Sequence, residues 1–356
     1  MPRIRRLLFL ILFPTLSNGL ASVRPSGGGG FGAPKTVANY LSDPTTVPLI
    51  QYLEKNKADV SKVAIGIDPD TQRRGLYTAK TFGKKGQIMC KIPSDCALAL
   101  SDPAKKGLDA PTVVHGGVSL IQMYLKNPQQ RQVFAPYLDC LPKEIEATPD
   151  FYSDEEIDLL EFPRIVEKAK ERKQLISELS AGLEAGDDLA YATWLVSSRA
   201  FPLSIAEDDV AFRYDDRGQI LSKAERHWIR VMVPLLDMAN HQSEPNAKLT
   251  LIDPEKDEAW FALETLRPIP AGKEITIAYG SGADSSVELL ANYGFVPESN
   301  PLDTYMLRKG GDDCLTSLAD WTTTIDEDKS VLEMASDEPN LQKILKFRIK
   351  LKEAYD

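Results

Sequence analysis

The sequence predicts an α+β fold: a β-rich core of small sheets, interrupted by a helical insertion and followed by a short helical carboxy-terminal segment. Three observations predict it. Short apolar runs separated by turn residues fill positions 62–100, helical spacing fills 103–200, and strand texture returns between 230 and 278. In a chain of 356 residues that order fits one core domain carrying an insertion.

The elements follow in order. Residues 37–54 have helical spacing, anchored by Tyr40, Leu41, Leu49, Ile50, Tyr52 and Leu53 and broken at Pro44 and Pro48. Residues 63–67, 76–79 and 88–92 read as strands, with a turn at Lys84, Lys85 and Gly86 and a stop at Pro93. These 38–100 residues make the first half of the core. In the insertion, 101–200, helices are expected over 118–124, 165–183 and 188–198, the last with Tyr191 and Trp194 on one face. The second half, 201–300, has strands at 230–235, 248–252 and 259–263, the latter two joined by a hairpin turn at 253–257. Pro270-Ala-Gly-Lys273 turns the chain into a strand over 274–278, and Ser285 with Glu288 forms a capping box opening a helix that stops at Gly294. Residues 301–356 hold an amphipathic segment after Pro339, with Leu341, Ile344, Leu345, Phe347 and Leu351 apolar. Its Lys343, Lys346, Arg348, Lys350 and Lys352 read as a solvated basic face of a shortened helical lobe.

Residues 1–37 are expected to stand outside the fold as a targeting segment. Arg3, Arg5 and Arg6 precede an apolar run at 7–13, and Gly19, Leu20 and Ala21 give a small-residue cleavage pattern. The apolar run is too short to span a bilayer, so no membrane association is expected of the mature chain. No acidic residue appears before Asp43, while Arg24 and Lys35 extend the positive bias, which is transit-like. Signal plus transit-like sequence points to a plastid reached through a two-part leader, with secretion as the alternative.

Composition narrows the chemistry. A net charge of −10 argues against nucleic acid as a general partner. The four cysteines, Cys90, Cys96, Cys140 and Cys314, contain no CxxC or CxC pair, and the three histidines, His115, His227 and His241, lack metal-ligand spacing, so no metal is predicted. The cysteines read as reduced, buried thiols.

The informative residues sit beside the strands of the second half. Pro234-Leu-Leu-Asp-Met-Ala-Asn-His241 sets an amide and an imidazole after an apolar run. Ile275-Thr-Ile-Ala-Tyr279-Gly and Tyr293-Gly-Phe295 add three aromatic rings, two of them phenolic. Such groups suit a flat ligand with a zwitterionic end, and they make neither a phosphate cradle nor a nucleophile triad.

With Arg73-Arg-Gly-Leu-Tyr-Thr-Ala79 and Ser197-Ser-Arg-Ala-Phe201, these stretches resemble the SET-domain methyltransferases, and by pattern the plant Rubisco large-subunit lysine methyltransferases, over roughly residues 38–310. The resemblance implies a small-sheet core with a pseudoknot, S-adenosylmethionine as cofactor, a protein substrate presenting a lysine, and a non-histone target. A monomer is expected. It further implies that Tyr279 is catalytic, and that Arg74, Leu76, Ser198, Arg199, Asn240, His241, Tyr279 and Phe295 bind the cofactor. Ser198, Arg199, Phe201, Asp237 and Tyr293 would bind the substrate, with Asp237 accepting from the amine. Arg73 stands where the family pattern begins with glycine. Two alternatives remain open on this scaffold: methylation of a histidine side chain, which the apolar Phe201 disfavours, and a binding module without turnover.

Overall fold

The computed structural model of the protein describes residues 8–10, 40–100, 112–145, 147–183, 187–206, 212–214, 220–223, 226–253, 259–280, 284–303 and 321–355. Of the expected targeting segment only Leu8–Leu10 (β1) is described; the remainder, Cys314 and most of the 253–257 turn lie outside the described residues.

Among the described residues, chain order produces three sheets and a small ribbon. Leu41–Ser42 (β2), Val63–Ile67 (β3) and Arg74–Thr78 (β4) pair antiparallel in succession. Ile88–Pro93 (β5) belongs to a second sheet, and Leu98–Ala99 (β6), Ala200–Ala206 (β7) and Arg226–Met232 (β10) to a third, whose outer strand is β1. Phe212–Tyr214 (β8) and Ile220–Lys223 (β9) form the ribbon. Asn240–His241 (β11) and Glu274–Ile277 (β14) complete the first sheet in the order β11-β14-β4-β3-β2. Between them Ala247–Ile252 (β12) and Trp260–Thr265 (β13) form a hairpin that pairs with β5.

The first helix differs from expectation. Val47–Lys55 (α1) begins ten residues later than expected, because Pro48 is tolerated only in the first turn and a short 3-10 turn at Pro44–Thr46 precedes it. In the insertion, Val113–Leu120 (α2) continues into a π-helical turn at Ile121–Leu125. Pro128–Leu138 (α3) and Asp154–Asp158 (α4) escaped the periodicity argument. Helix α3 carries Pro136 in its interior and α4 is only five residues long, so neither offers a clean apolar stripe. Asn127 caps α3 by accepting from the amides of Gln129 and Gln130. Pro163–Leu183 (α5) and Asp187–Arg199 (α6) match their expected spans closely. Ser286–Tyr293 (α7) ends at Gly294, whose φ of 78° is the left-handed cap glycine adopts without strain.

The described residues form two apolar cores. The larger joins the sheets to α1, α2, α3 and α6 through Leu76, Ile92, Leu120, Leu195, Met232 and Ile275. Two further helices follow in the chain, Ile325–Met334 (α8) and Pro339–Tyr355 (α9), and the smaller core is built by α4, α5, α7 and α9, with Phe162, Leu290, Phe347 and Leu351 at its centre. The carboxy-terminal helix therefore shares a core with the insertion.

That helix corrects one expectation. Arg348 and Lys352 are 3% and 6% exposed, not solvated, and both bind Asp328 of α8, itself 2% exposed. Arg348 also donates to the Leu159 carbonyl and pairs with Glu161. Sequence periodicity marks a cation as polar, yet a buried partner lets it face inward. Replacing Asp328 by alanine leaves two buried cations with one carboxylate fewer, and should lower stability by about 3–5 kcal/mol in urea denaturation. Lys346→Ala, on the exposed side of the same helix, should stay within about 0.5 kcal/mol of wild type.

Candidate active site

The site begins with a parallel strand pair. Strand β14 lies antiparallel to β4 but parallel to β11, with Asn240 opposite Thr276 and His241 opposite Ile277. Side chains alternate along a strand, so Asn240 and His241 leave β11 on opposite faces. On one face the Asn240 amide donates to the Arg74 carbonyl at 3.0 Å and to Glu274 Oε1 at 2.7 Å. Gly75 makes this junction possible: a Cβ there would stand 2.7 Å from Glu274 Oε1 and 3.1 Å from Asn240 Nδ2. Arg74 thus serves through its carbonyl, while its guanidinium reaches away to Asp43 at 2.7 Å and to the Cys140 carbonyl at 2.6 Å. Leu76 is a fully buried core residue of the same strand.

On the other face lie the rings. The Tyr279 amide donates to His241 Nδ1 at 3.0 Å, and the Tyr279 hydroxyl donates to the Ala239 carbonyl at 3.1 Å. The Tyr279 ring centre lies 5.3 Å from His241, 4.7 Å from Tyr293 and 6.2 Å from Phe295; His241 and Phe295 are 5.5 Å apart. These are the distances of offset and edge-on aromatic packing. The Tyr293 hydroxyl accepts from the Gly280 amide at 2.9 Å, and burial pushes its own ionisation far above the usual tyrosine range. Gly280 has a φ of 63° and no room for a Cβ, which would overlap the Asp284 carboxylate.

Burial lowers the pKa of His241 to about 4, so its ring is neutral near pH 7. A neutral imidazole that accepts at Nδ1 carries its proton on Nε2. Nε2 is buried and has no hydrogen-bond partner among the described residues. It is a buried donor on a ring of the aromatic cluster.

A third group sits beneath. Leu235, fully buried, holds a φ of 73° and ψ of −47°, a conformation costing a non-glycine residue of order 1–3 kcal/mol. This bend starts the 3-10 turn Leu236–Met238 and turns Asp237 inward. Arg199, at the end of α6, donates to the Asp237 carbonyl at 3.1 Å and to Asp237 Oδ2 at 3.3 Å. The Tyr137 hydroxyl of α3 donates to the same Oδ2 at 2.7 Å. Burial raises the Asp237 pKa against the pull of Arg199 and Tyr137. Burial opposes the charge on Arg199, but the Asp237 carboxylate together with Tyr137 and Tyr279 raises its pKa overall.

All the expected residues but Leu76, Ser198 and Phe201 fall into three linked groups. His241, Tyr279, Tyr293 and Phe295 come together as rings, Asn240 with Arg74 forms the strand junction, and Arg199 with Asp237 forms the buried pair. Asp237, expected to face an amine, instead engages Oδ2 internally, and only its Oδ1 lacks a partner among the described residues. Ser198 turns its hydroxyl back to the Trp194 carbonyl at 2.8 Å, as helical serines do, and Phe201 is half-buried on β7 opposite Val231. Sequence reasoning missed Tyr137, Glu274 and the Ala239 carbonyl. It also missed Arg172 of α5, which pairs with buried Asp150 and donates to the Ala291 carbonyl and to Asn292 Oδ1, both at 3.0 Å. Those contacts, with Ser197 on the Asn292 carbonyl at 2.7 Å, fix the turn carrying Tyr293. A cation–carboxylate pair 22 residues apart leaves no periodic trace.

Small sheets around a parallel strand pair, with Asn-His on one strand and a tyrosine just past the other, define a class. The SET-domain family model matches residues 73–280, more than half of the chain, and the chain belongs to the SET-domain family. Among solved structures, the SET domain of LSMT bound to lysine and AdoHcy is similar with a TM-score of 0.57 at 17% identity, covering 88% of this chain and 89% of that one. Rubisco LSMT bound to AdoMet gives 0.57 at 16% identity, covering 88% and 90%. Rubisco LSMT bound to sinefungin and monomethyllysine gives 0.56 at 15%, with the same coverage of 88% and 90%. The likeness is one of fold. No curated protein matches the chain.

The His241 geometry predicts a pH dependence. The unfolded chain's imidazole takes up a proton below its ordinary 6.5, whereas the folded ring stays neutral down to about 4. The unfolded state thus binds the extra proton in that window. Stability from this group, present above pH 6.5, should fall as pH drops towards 4, with a slope of at most about 1.4 kcal/mol per pH unit. Urea titrations of wild type and His241→Gln across pH 4–7 should differ by that slope; parallel curves would exclude a buried neutral ring.

Proposed function

We propose that this chain is an S-adenosylmethionine-dependent protein-lysine N-methyltransferase of the Rubisco LSMT-like class, acting on a non-histone protein. The observation that carries the reading is the ring cluster of His241, Tyr279, Tyr293 and Phe295, with a buried imidazole N–H lacking an acceptor and a tyrosine hydroxyl on a backbone carbonyl. An unpaired buried donor costs free energy that a ligand acceptor would recover. The residues fit the cofactor in kind: flat aromatic walls for an adenine, an imidazole N–H, the Arg199 guanidinium for a carboxylate, and backbone groups of Arg74 and Leu76. AdoMet, AdoHcy and lysine in the similar solved structures support the same assignment.

S-adenosylmethionine, when bound, supplies an electrophilic methyl group on a sulfonium. The chain's own task is to present a neutral amine in line with it. Free lysine has a pKa near ~10.4, so roughly one amine in a few thousand is neutral at pH 7. Aromatic walls from Tyr279, Tyr293 and Phe201 exclude water, and burial of this kind lowers an amine pKa by up to ~3–5 units. Backbone carbonyls of Asp237 and Ala239 accept from the amine and the tyrosine and fix direction. Tyr279 is the catalytic residue, its hydroxyl held at a set position by Ala239. Fixed alignment is worth effective molarities of order 10⁵ M or more.

We assign the enzyme to a plastid on the charge and apolar pattern of residues 1–37. No described helix is long and apolar enough to cross a membrane. Tritiated S-adenosylmethionine incubated with the protein and plastid extract should label a protein band, and mass spectrometry should place the methyl on lysine. Label on histidine, or none, overturns the reading. Tyr279→Phe should lower kcat on the order of 10²-fold and leave the cofactor Kd from calorimetry within about threefold. Equal losses in both would remove Tyr279 from the chemistry.

A further inference from the structure

The helical insertion contributes a buried hydroxyl to the Asp237 carboxylate, that of Tyr137. We propose that Tyr137 is a positioning residue: its hydroxyl locks the Asp237 carboxylate, and through it the Arg199 guanidinium and the Asp237 carbonyl, against the ring cluster. The inference rests on the enzymatic reading for its consequence, though not for its geometry.

Tyr137 is fully buried near the end of α3, 100 residues from its acceptor in sequence. Two other inward tyrosines of the insertion satisfy their hydroxyls on backbone carbonyls, Tyr124 on Ala99 and Tyr191 on Pro142. Tyr137 instead donates to a carboxylate whose side chain has no solvent exposure. That carboxylate oxygen has two donors, Tyr137 at 2.7 Å and Arg199 at 3.3 Å. The shorter contact is the tyrosine's. Arg199 in turn spends its other contact on the Asp237 carbonyl. A carboxylate accepting fewer donors in a buried setting rotates or takes a proton, and either outcome would release Arg199 from its fixed orientation.

The groups facing Asp237 define what should happen. From the end of α3 come Tyr137 and the Cys140 thiol, from α6 comes Arg199, and beyond Arg199 stands Tyr279. Burial already pushes the Asp237 pKa upward, and Arg199 and the Tyr137 hydroxyl oppose it. Deleting the hydroxyl removes one of those two opposing donors and keeps the ring that fills the core.

The test uses full-length protein with carbon-13 at the aspartate carboxyls, Asp237 being assigned by its loss in Asp237→Asn. In Tyr137→Phe the Asp237 titration midpoint should rise by about one pH unit or more. The acidic limb of the methyl-transfer rate should move the same way and by about the same amount, with kcat recovering as pH rises. Phe134→Leu, a buried α3 change packed on Tyr52 and Tyr124, should reduce stability and leave the Asp237 midpoint in place. If Tyr137→Phe does not fold, fluorotyrosine inserted at position 137 makes the hydroxyl a stronger donor, and the midpoint should fall. An unmoved midpoint in Tyr137→Phe or in the fluorotyrosine protein, or an equal move in Phe134→Leu, overturns the proposal. Absence of methyl transfer in the wild type would sink the enzymatic reading alone, since the titration is read without turnover.

Discussion

The parallel pairing of β11 with β14 is the constraint on which the site depends. Parallel neighbours need a crossover, and the β12–β13 hairpin with the turn at Gly272 supplies it. Once the two short strands lie side by side, residues just before β11 meet residues just after β14. Asp237 and Ala239 then present carbonyls to Arg199 and Tyr279, and the His241 ring receives the Tyr279 amide. Neither strand has enough length to hold this alone. The His241 bond at one end and the Asn240–Glu274 contact at the other staple the pair.

The helical insertion completes the frame. It gives Tyr137 and Arg199 to Asp237, and Arg172 and Ser197 to the last turn of α7, where Tyr293 begins. The Arg172, Arg199 and Tyr137 contacts are charged or charge-assisted, a type whose removal costs more than its presence contributes. The insertion and the second half of the core are therefore coupled in both directions. A shift of α5 or α6 would be felt as a shift of the aromatic wall. The carboxy-terminal helix α9 joins the same system through Phe347 and Leu351, which pack with α5 and α7.

Several local irregularities carry geometry that regular elements cannot. Leu235 holds a left-handed backbone to aim Asp237. Gly280 keeps the carboxylate of Asp284 close beneath the end of β14, and Gly75 lets Glu274 and Asn240 approach β4. Only the two glycines are readable as permissive residues in advance; the leucine is not, because its conformation is imposed by packing around a fully buried side chain.

The chain's sequence alone determined the order of strands, helices and strands, the ring and amide residues that meet beside the β11–β14 pair, and the family to which they point. Local period and turn chemistry carry that much, since each is written within a few consecutive residues. Tertiary structure decided which face each group takes and what it bonds. It turned Arg348 and Lys352 inward onto Asp328, engaged Asp237 internally with Tyr137 and Arg199, and placed Asn240 and His241 on opposite sides of one strand. Helix α3, with its interior proline, was invisible to periodicity and yet supplies the nearest donor to Asp237. The reason is physical: a buried polar group chooses its partner after the elements dock, from atoms that lie about a hundred residues away along the chain.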